Sequence, residues 1–395
     1  MSYSTGAAKG GNLEISLTLW LNNVGRFTPI LAKFQTNTRC RKTFVMSAYL
    51  SRIVLTDQMP LTFNALVVEY TGRCTAKCGM CYQSAGPKGS DALGDFALDR
   101  AAIRRVLRDA RQIPTLEPRF HLTGGEAFLN EGLLLDLIGY ARQLGFIDLT
   151  TTTNAYWATT PERANRVCSR AAKAGMTGME ISWDHWHRDY LGADLVSNSI
   201  EACARHGISS NLRLLSTRSH GYGEAMRAIR PKALSQVGSV SCAPVHPTGR
   251  AETQIAPDDI WSQGGLDETC HAILNLTVNP RGDVSPCCAG LDQLSGHSFG
   301  NVHSHSILDI ARRLDASPVM RTLVFRGVLE IGALLVEAGL DPGKDYTGIC
   351  HMCWSIFSNP DMVAGVERAL AARRQQAISL ALSQIRDAAR QSVEA

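Results

Sequence analysis

The chain has 395 residues, 45% apolar and 19% charged, which is enough for about two packed domains and too apolar for a disordered chain. Its 40 basic residues against 36 acidic give a net charge of +4 with no basic block, so a nucleic-acid partner is not expected. Twelve cysteines are the unusual feature. The only early apolar run, Leu13–Leu21, is interrupted by Glu14, Ser16 and Thr18, so it suits neither an export signal nor a membrane span. The expectation is a cytoplasmic protein without a membrane partner, whose cysteines are metal ligands and buried thiols rather than a disulfide framework.

Residues 1–62 mix apolar pieces with Arg26, Lys33, Arg39, Arg41 and Lys42. They fit a docking extension, a poorly ordered arm or a start codon placed too early. From residue 63 a rhythm sets in. Strand-like runs are expected at Phe63–Tyr70, Arg119–Leu122, Phe146–Thr153, Gly178–Ser182, Ser210–Leu215 and Gly238–Ala243. Helical periodicity fills the gaps at Leu98–Arg111, Glu131–Leu144, Pro161–Ala174, Val196–His206 and Tyr222–Ala233. Such alternation predicts parallel βαβ units, with the working residues just past the strand ends. After residue 245 the rhythm stops. Leu274–Asn279, a Pro-Arg-Gly-Asp turn and Val284–Cys287 predict a hairpin. Helices are expected at Ser306–Leu314, Val319–Phe325 and Val328–Ala338, and from Asp361 to the end.

Two cysteine sets carry the chemistry. Cys74, Cys78 and Cys81 follow the first strand with spacings of four and three, a tripod of soft donors that would hold three irons of a cubane and leave one iron open. A structural zinc site would need a fourth Cys or His nearby, and none is there. The second strand ends in Thr123-Gly-Gly-Glu126, where two glycines allow close backbone approach and a carboxylate can accept from an ammonium. The second set is Cys270 and Cys287, on the two arms of the hairpin, with Cys350-His-Met-Cys353 downstream. Four thiols can close a cluster completely, or hold a structural zinc.

With these motifs the chain resembles the radical S-adenosylmethionine (SAM) superfamily over roughly residues 63–245, and the cysteines of 270–353 resemble the SPASM domain and its shorter twitch form. The resemblance implies an α/β fold: a partial (β/α)6 barrel over 63–245, then a small hairpin-plus-helices auxiliary-cluster domain over 246–360 and a C-terminal helix over 361–395. It implies a [4Fe–4S] cluster on Cys74, Cys78 and Cys81 whose open iron chelates SAM. Gly124, Gly125 and Glu126 would receive the SAM amino group, with Tyr82, Asn154, Ser182, Asp184 and Arg213 as further SAM contacts. The superfamily often has an aromatic residue at the position of Met80 and a glycine at that of Ala155, so the chain departs there. Cys270, Cys287, Cys350 and Cys353 would hold one auxiliary [4Fe–4S] cluster, since no cysteine follows Cys353 to build a second. Pro247-Thr-Gly-Arg-Ala251 and Gly300-Asn-Val302 also match the usual surroundings of such hairpins. His187 and Tyr190 match a subset in which they line the substrate side.

The implied chemistry is reductive cleavage of SAM to a 5′-deoxyadenosyl radical that takes hydrogen from a substrate, with a flavodoxin or ferredoxin as electron donor. Two substrates fit: a ribosomally made peptide that is epimerised or cross-linked, or a small polar metabolite such as an aminocyclitol that is oxidised or epimerised. A zinc-stabilised scaffold without catalysis is the alternative from another class. Cys242 and Cys288 are candidate hydrogen donors to a substrate radical, because thiol S–H bonds are weak, although a buried inert thiol is the plainer reading of each. Cys40, Cys168 and Cys203 read as structural.

Overall fold

The computed structural model describes residues 59–262, 266, 270, 274–287 and 298–393. Every element below lies in the unit Pro60–Ala395. Cys40 and Cys288 fall outside the described residues.

In chain order the first half contains β1 (Ala65–Glu69), the short pair β2 (Ala85–Gly86) and β3 (Gly89–Ser90), α1 (Arg100–Ala110), β4 (Arg119–Thr123), α2 (Glu131–Gln143), β5 (Asp148–Thr153), α3 (Pro161–Ala174), β6 (Gly178–Ser182), α4 (Ala193–Arg205), β7 (Ser209–Ser216), α5 (Tyr222–Arg227), α6 (Pro231–Leu234) and β8 (Ser239–Pro244). There follow α7 (Ala251–Gln254), β9 (Asn275–Val278), β10 (Val284–Ser285), α8 (Ile307–Ala316), α9 (Pro318–Arg326), α10 (Val328–Glu337), α11 (Ile349–Phe357) and α12 (Pro360–Val393). None of the helices described is long and apolar enough to cross a membrane.

The sheet is eight-stranded and unclosed, in the order β10-β9-β1-β4-β5-β6-β7-β8. Strands β1 and β4 to β8 run parallel, as the βαβ rhythm requires. The hairpin expected near residue 280 is present, and it adds to this sheet: β9 pairs in parallel with β1, Leu276 opposite Leu66, and β10 turns back along β9. Alternation along the strands separates two faces. Phe120, Leu122, Leu149, Met179, Ile181, Leu212 and Leu214 are fully buried in the core, as are Ile103, Leu134, Leu137 and Ile200 of the covering helices. The residues between them on the strands are polar and face the concave side.

Helix starts follow ordinary capping chemistry. Asp99 accepts from the Ala102 N–H (2.7 Å), Asn130 from Leu133 (3.0 Å) and Thr160 from Arg163 (3.2 Å), with Pro161 at the first turn of α3. The single helix expected over Tyr222–Ala233 is broken into α5 and α6. Pro231 has no N–H to continue the ladder and pushes Arg230 to an extended ψ of 136°. Helix α11, which carries Cys350 and Cys353, was not foreseen. Its apolar residues Met352, Ile356 and Phe357 are buried with the main core.

Candidate functional site

The C-terminal ends of the parallel strands converge on the loop Cys74–Cys81, which leaves β1. Two neighbours hold that loop. One is the Gly-Gly-Glu turn after β4. The Gly125 N–H donates to the Thr71 carbonyl (2.7 Å) and the Glu126 N–H to that of Arg73 (3.0 Å). Gly124 adopts a φ of +145°, and a Cβ on Gly125 would collide with the Arg73 carbonyl. The two glycines are thus required by the chain's own backbone approach.

The second neighbour is Arg250, from the Pro247–Ala251 stretch. Its guanidinium is almost wholly buried and donates to the carbonyls of Cys78 (2.8 Å) and Ala85 (2.7 Å) and to Asp91 Oδ2 (2.9 and 3.0 Å). Its backbone N–H donates to the Cys81 carbonyl (3.1 Å). A Cβ at Gly249, whose φ is +58°, would strike the Tyr82 carbonyl. Sequence reading noted this stretch and gave Arg250 no role. A lone arginine among turn residues carries no local sign that it will be buried.

Burial raises the pKa of all three thiols, to about 12 for Cys74, and the three feel one another's charge. A small apolar group of Ala76, Met80, Val245, Ala251, Ile255 and Ile260 surrounds Cys78, with Cys74, Cys81 and Trp186 packed against it. Backbone N–H groups of Ala76, Gln83 and Ala85 serve the sulfurs of Cys74 and Cys81. Soft donors held together, screened from water and supplied with N–H donors fit a cubane iron–sulfur cluster, which binds thiolates and so requires these protons to leave.

Glu126 is 1% exposed. Its Oε1 accepts from the Phe128 N–H (3.0 Å) and the Thr153 hydroxyl (2.9 Å), and its Oε2 from the Asn154 N–H (2.8 Å). A carboxylate has about four acceptor positions, so one on Oε2 is left for an ammonium. Burial raises its pKa to about 7. Asn154 donates to Thr75 Oγ1 (3.0 Å) and toward Cys74 Sγ (3.7 Å), which ties β5 to the cysteine loop. The next residue, Ala155, has a φ of +62°, which explains why a glycine suits that position.

Tyr82 turns toward β1, and its hydroxyl donates to the buried Glu69 (3.3 Å). Met80 is buried in the apolar group rather than presented to a ligand. Asp184 Oδ1 accepts from the Trp186 and His187 N–H groups and from His187 Nδ1 (2.8 Å), so it caps the turn His185–His187. The Tyr190 hydroxyl donates to the Lys77 carbonyl (2.8 Å). Ser182 sits opposite Arg213 on neighbouring strands.

Arg213 faces the concave side, 3.9 Å from Glu180, and its charge reaches both His246 and Cys350. A polar ladder that sequence reading missed runs beneath it. His121 lies 2.8 and 2.9 Å from the hydroxyls of Thr150 and Thr152, Thr152 donates to Glu180 (3.4 Å), and Asn211 donates to Glu180 (3.3 Å) and Ser241 (3.1 Å). The sign was available in the polar residues at every second strand position.

In the second set, Cys270, Cys350 and Cys353 lie close enough for each thiol's charge to affect the others. Burial raises Cys350 to about 11 and Cys353 higher. Cys287 is buried two residues past β10. Cys242 pairs in register with Leu214, on the face away from the polar ladder, and is exposed. Cys168 and Cys203 are buried together, with sulfurs 3.8 Å apart.

Two measurements test this geometry. Arg250→Ala orphans the Cys78 carbonyl on the cysteine loop and the Ala85 carbonyl of β2, each worth about 1–3 kcal/mol, so iron per reconstituted chain should fall from about eight toward about four. Unchanged iron would contradict the bracing role. Because Glu126 must lose its proton to receive an ammonium, SAM binding should weaken as pH falls below about 7, by up to about tenfold per pH unit. Equilibrium dialysis should show that slope in the wild type and a flat profile in Glu126→Gln.

Comparison with known proteins agrees with these features. The radical SAM superfamily pattern matches residues 68–230, and that of the SPASM iron–sulfur cluster-binding domain matches residues 270–354. No curated protein sequence matches the chain. Among solved structures, native anSMEcpe with bound AdoMet is 13% identical, with a TM-score of 0.48 over 80% of this chain and 99% of that one. Streptococcus suis SuiB bound to S-adenosylmethionine is 13% identical, with a TM-score of 0.40 over 73% and 74%. SuiB bound to the precursor peptide SuiA is 13% identical, with a TM-score of 0.39 over 77% and 75%. The chain carries a radical SAM domain followed by a SPASM iron–sulfur domain, and it is an enzyme of the radical SAM superfamily that uses [4Fe–4S] clusters and SAM.

Proposed function

We propose that this enzyme modifies a ribosomally made peptide, by epimerisation or by cross-linking. In this reading residues 63–245 are the catalytic core and 246–360 hold the auxiliary cluster. Cys74, Cys78 and Cys81 hold the SAM-binding cluster, and Cys270, Cys287, Cys350 and Cys353 the auxiliary one. Bound there, the first cluster and SAM would supply radical chemistry for hydrogen abstraction from the substrate, with a flavodoxin or ferredoxin as the electron donor. The residues around it bind and orient. Glu126 receives the SAM ammonium on its remaining acceptor position, and Asn154 fixes the cysteine loop relative to β5. The apolar group beneath the loop keeps water from the reacting centre.

The observation that carries the peptide reading is the rim. Tyr190 and Trp261 are 46% and 44% exposed. Tyr190 is tied to the cysteine loop, and Trp261 is stacked by Arg218, two residues past β7. Exposed aromatic and arginine side chains around a concave site suit an extended chain that lies across the opening. A second reading, oxidation or epimerisation of a small polar metabolite such as an aminocyclitol, is favoured by the ladder of His121, Thr152, Glu180 and Asn211.

The test is anaerobic turnover with SAM and dithionite, using a precursor peptide encoded beside the gene or an aminocyclitol. The peptide should raise 5′-deoxyadenosine formation, and Trp261→Ala should increase its KM about tenfold, a cost of about 1.4 kcal/mol, within the range above about 1 kcal/mol seen for a contributing contact residue. A product carrying one solvent deuterium marks epimerisation, and loss of two hydrogens marks a cross-link. Stimulation by the aminocyclitol alone would overturn the peptide assignment.

A further inference from the structure

The loops that follow β6 and β7 bring together three metal-type donors that neither cysteine set uses. His185 opens the turn capped by Asp184, His220 lies in the loop before α5, and Glu224 is in the first turn of α5. Their ligand atoms all lie within 4.8 Å of one another. The two imidazoles are stacked with centroids 3.4 Å apart and planes within 11°. His185 Nδ1 is buried and has no hydrogen-bond partner. Buried imidazole nitrogens normally find one, so this nitrogen is left free for a ligand.

We propose that His185, His220 and Glu224 form a site for a divalent cation of the Zn²⁺ type, separate from both iron–sulfur clusters. Two imidazoles and a carboxylate are a borderline nitrogen–oxygen set of the kind that holds Zn²⁺ with a fourth position open. Glu224 now pairs with Arg188, and both side chains are nearly half exposed, so sharing the carboxylate with an ion costs little. Parallel rings cannot both aim at one ion in their planes. Binding therefore swings the His220 ring, on its half-exposed loop, about its Cβ–Cγ bond and opens the stack.

The ion joins the β6 and β7 loops across the rim. Trp186 stands edge-on to both imidazoles, at 5.6 and 5.8 Å, and also borders Gly79 of the cysteine loop, where a Cβ would lie 3.7 Å from its ring. An occupied site holds Trp186 against the loop of the first cysteine set. The ion acts as a clasp on the rim and takes no part in electron transfer.

The test uses the holoenzyme with both clusters filled, so that the cysteines are occupied. Anaerobic Zn²⁺ titration against a chromophoric chelator should show one zinc per chain beyond the cluster iron. His220→Asn and Glu224→Gln should each weaken it at least tenfold with iron content unchanged. Absorption at the zinc edge should show only nitrogen and oxygen neighbours at about 2.0–2.2 Å. Equal zinc uptake by the wild type and a His185→Asn/His220→Asn double variant would overturn the proposal. So would a sulfur shell at about 2.3 Å, or no zinc bound at micromolar concentrations.

Discussion

The buried guanidinium of Arg250 links the two halves of the chain at the site of chemistry. A cationic side chain is rarely this enclosed unless every donor is used, because the cost of desolvation is high. Here the donors go to two carbonyls of the cysteine loop region and to Asp91, and the backbone N–H of the same residue takes the Cys81 carbonyl. The loop from β1 is thereby fixed by a residue about 170 positions later in sequence. On its other side the same loop is fixed by the Gly124–Glu126 turn, where the absence of side chains lets two backbones touch. Three thiols on a free loop would not keep cluster geometry. These three are braced from both sides.

The fold explains why one cysteine set suits an open cluster and the other a closed one. Cys74, Cys78 and Cys81 come from a single loop at the strand ends, where Glu126 acts on Cys74, and among the described residues no other cysteine is recorded acting on them. Cys270 and Cys287 flank a hairpin whose first strand is hydrogen-bonded to β1, while Cys350 and Cys353 project from one helix, three residues apart on the same face. Pairing β9 with β1 places the second set beside the sheet that carries the first. On the strand next to the polar ladder's Glu180, the charge of Arg213 is felt at Cys350.

Much of this was legible in the sequence. The strands and most helices follow from apolar runs and periodicity, and the cysteine spacings with Gly-Gly-Glu point to the chemistry without coordinates. What the sequence hid has physical reasons. The pairing of β9 with β1 joins segments about 210 residues apart, and neither strand's pattern names its partner. Helix α11 is short and carries no side-chain cap at its start, although the spacing of Met352 and Ile356 is helical. Pro231 signalled the break after α5, but the apolar pattern on both sides outweighed it. Cys242 looked like an interior thiol from its place on the sixth strand. Register alone, opposite Leu214, puts it on the outer face. His185 and His220 sit on different loops and meet only in three dimensions.

The central claim is that one cluster is open to SAM and the other closed. Electron paramagnetic resonance of the dithionite-reduced, fully reconstituted enzyme tests it most directly, with and without SAM, beside a variant in which Cys74, Cys78 and Cys81 are all alanine. The account predicts two signals in the wild type, of which SAM shifts one, and a single SAM-insensitive signal in the variant. A SAM-sensitive signal that survives loss of the three cysteines would contradict it.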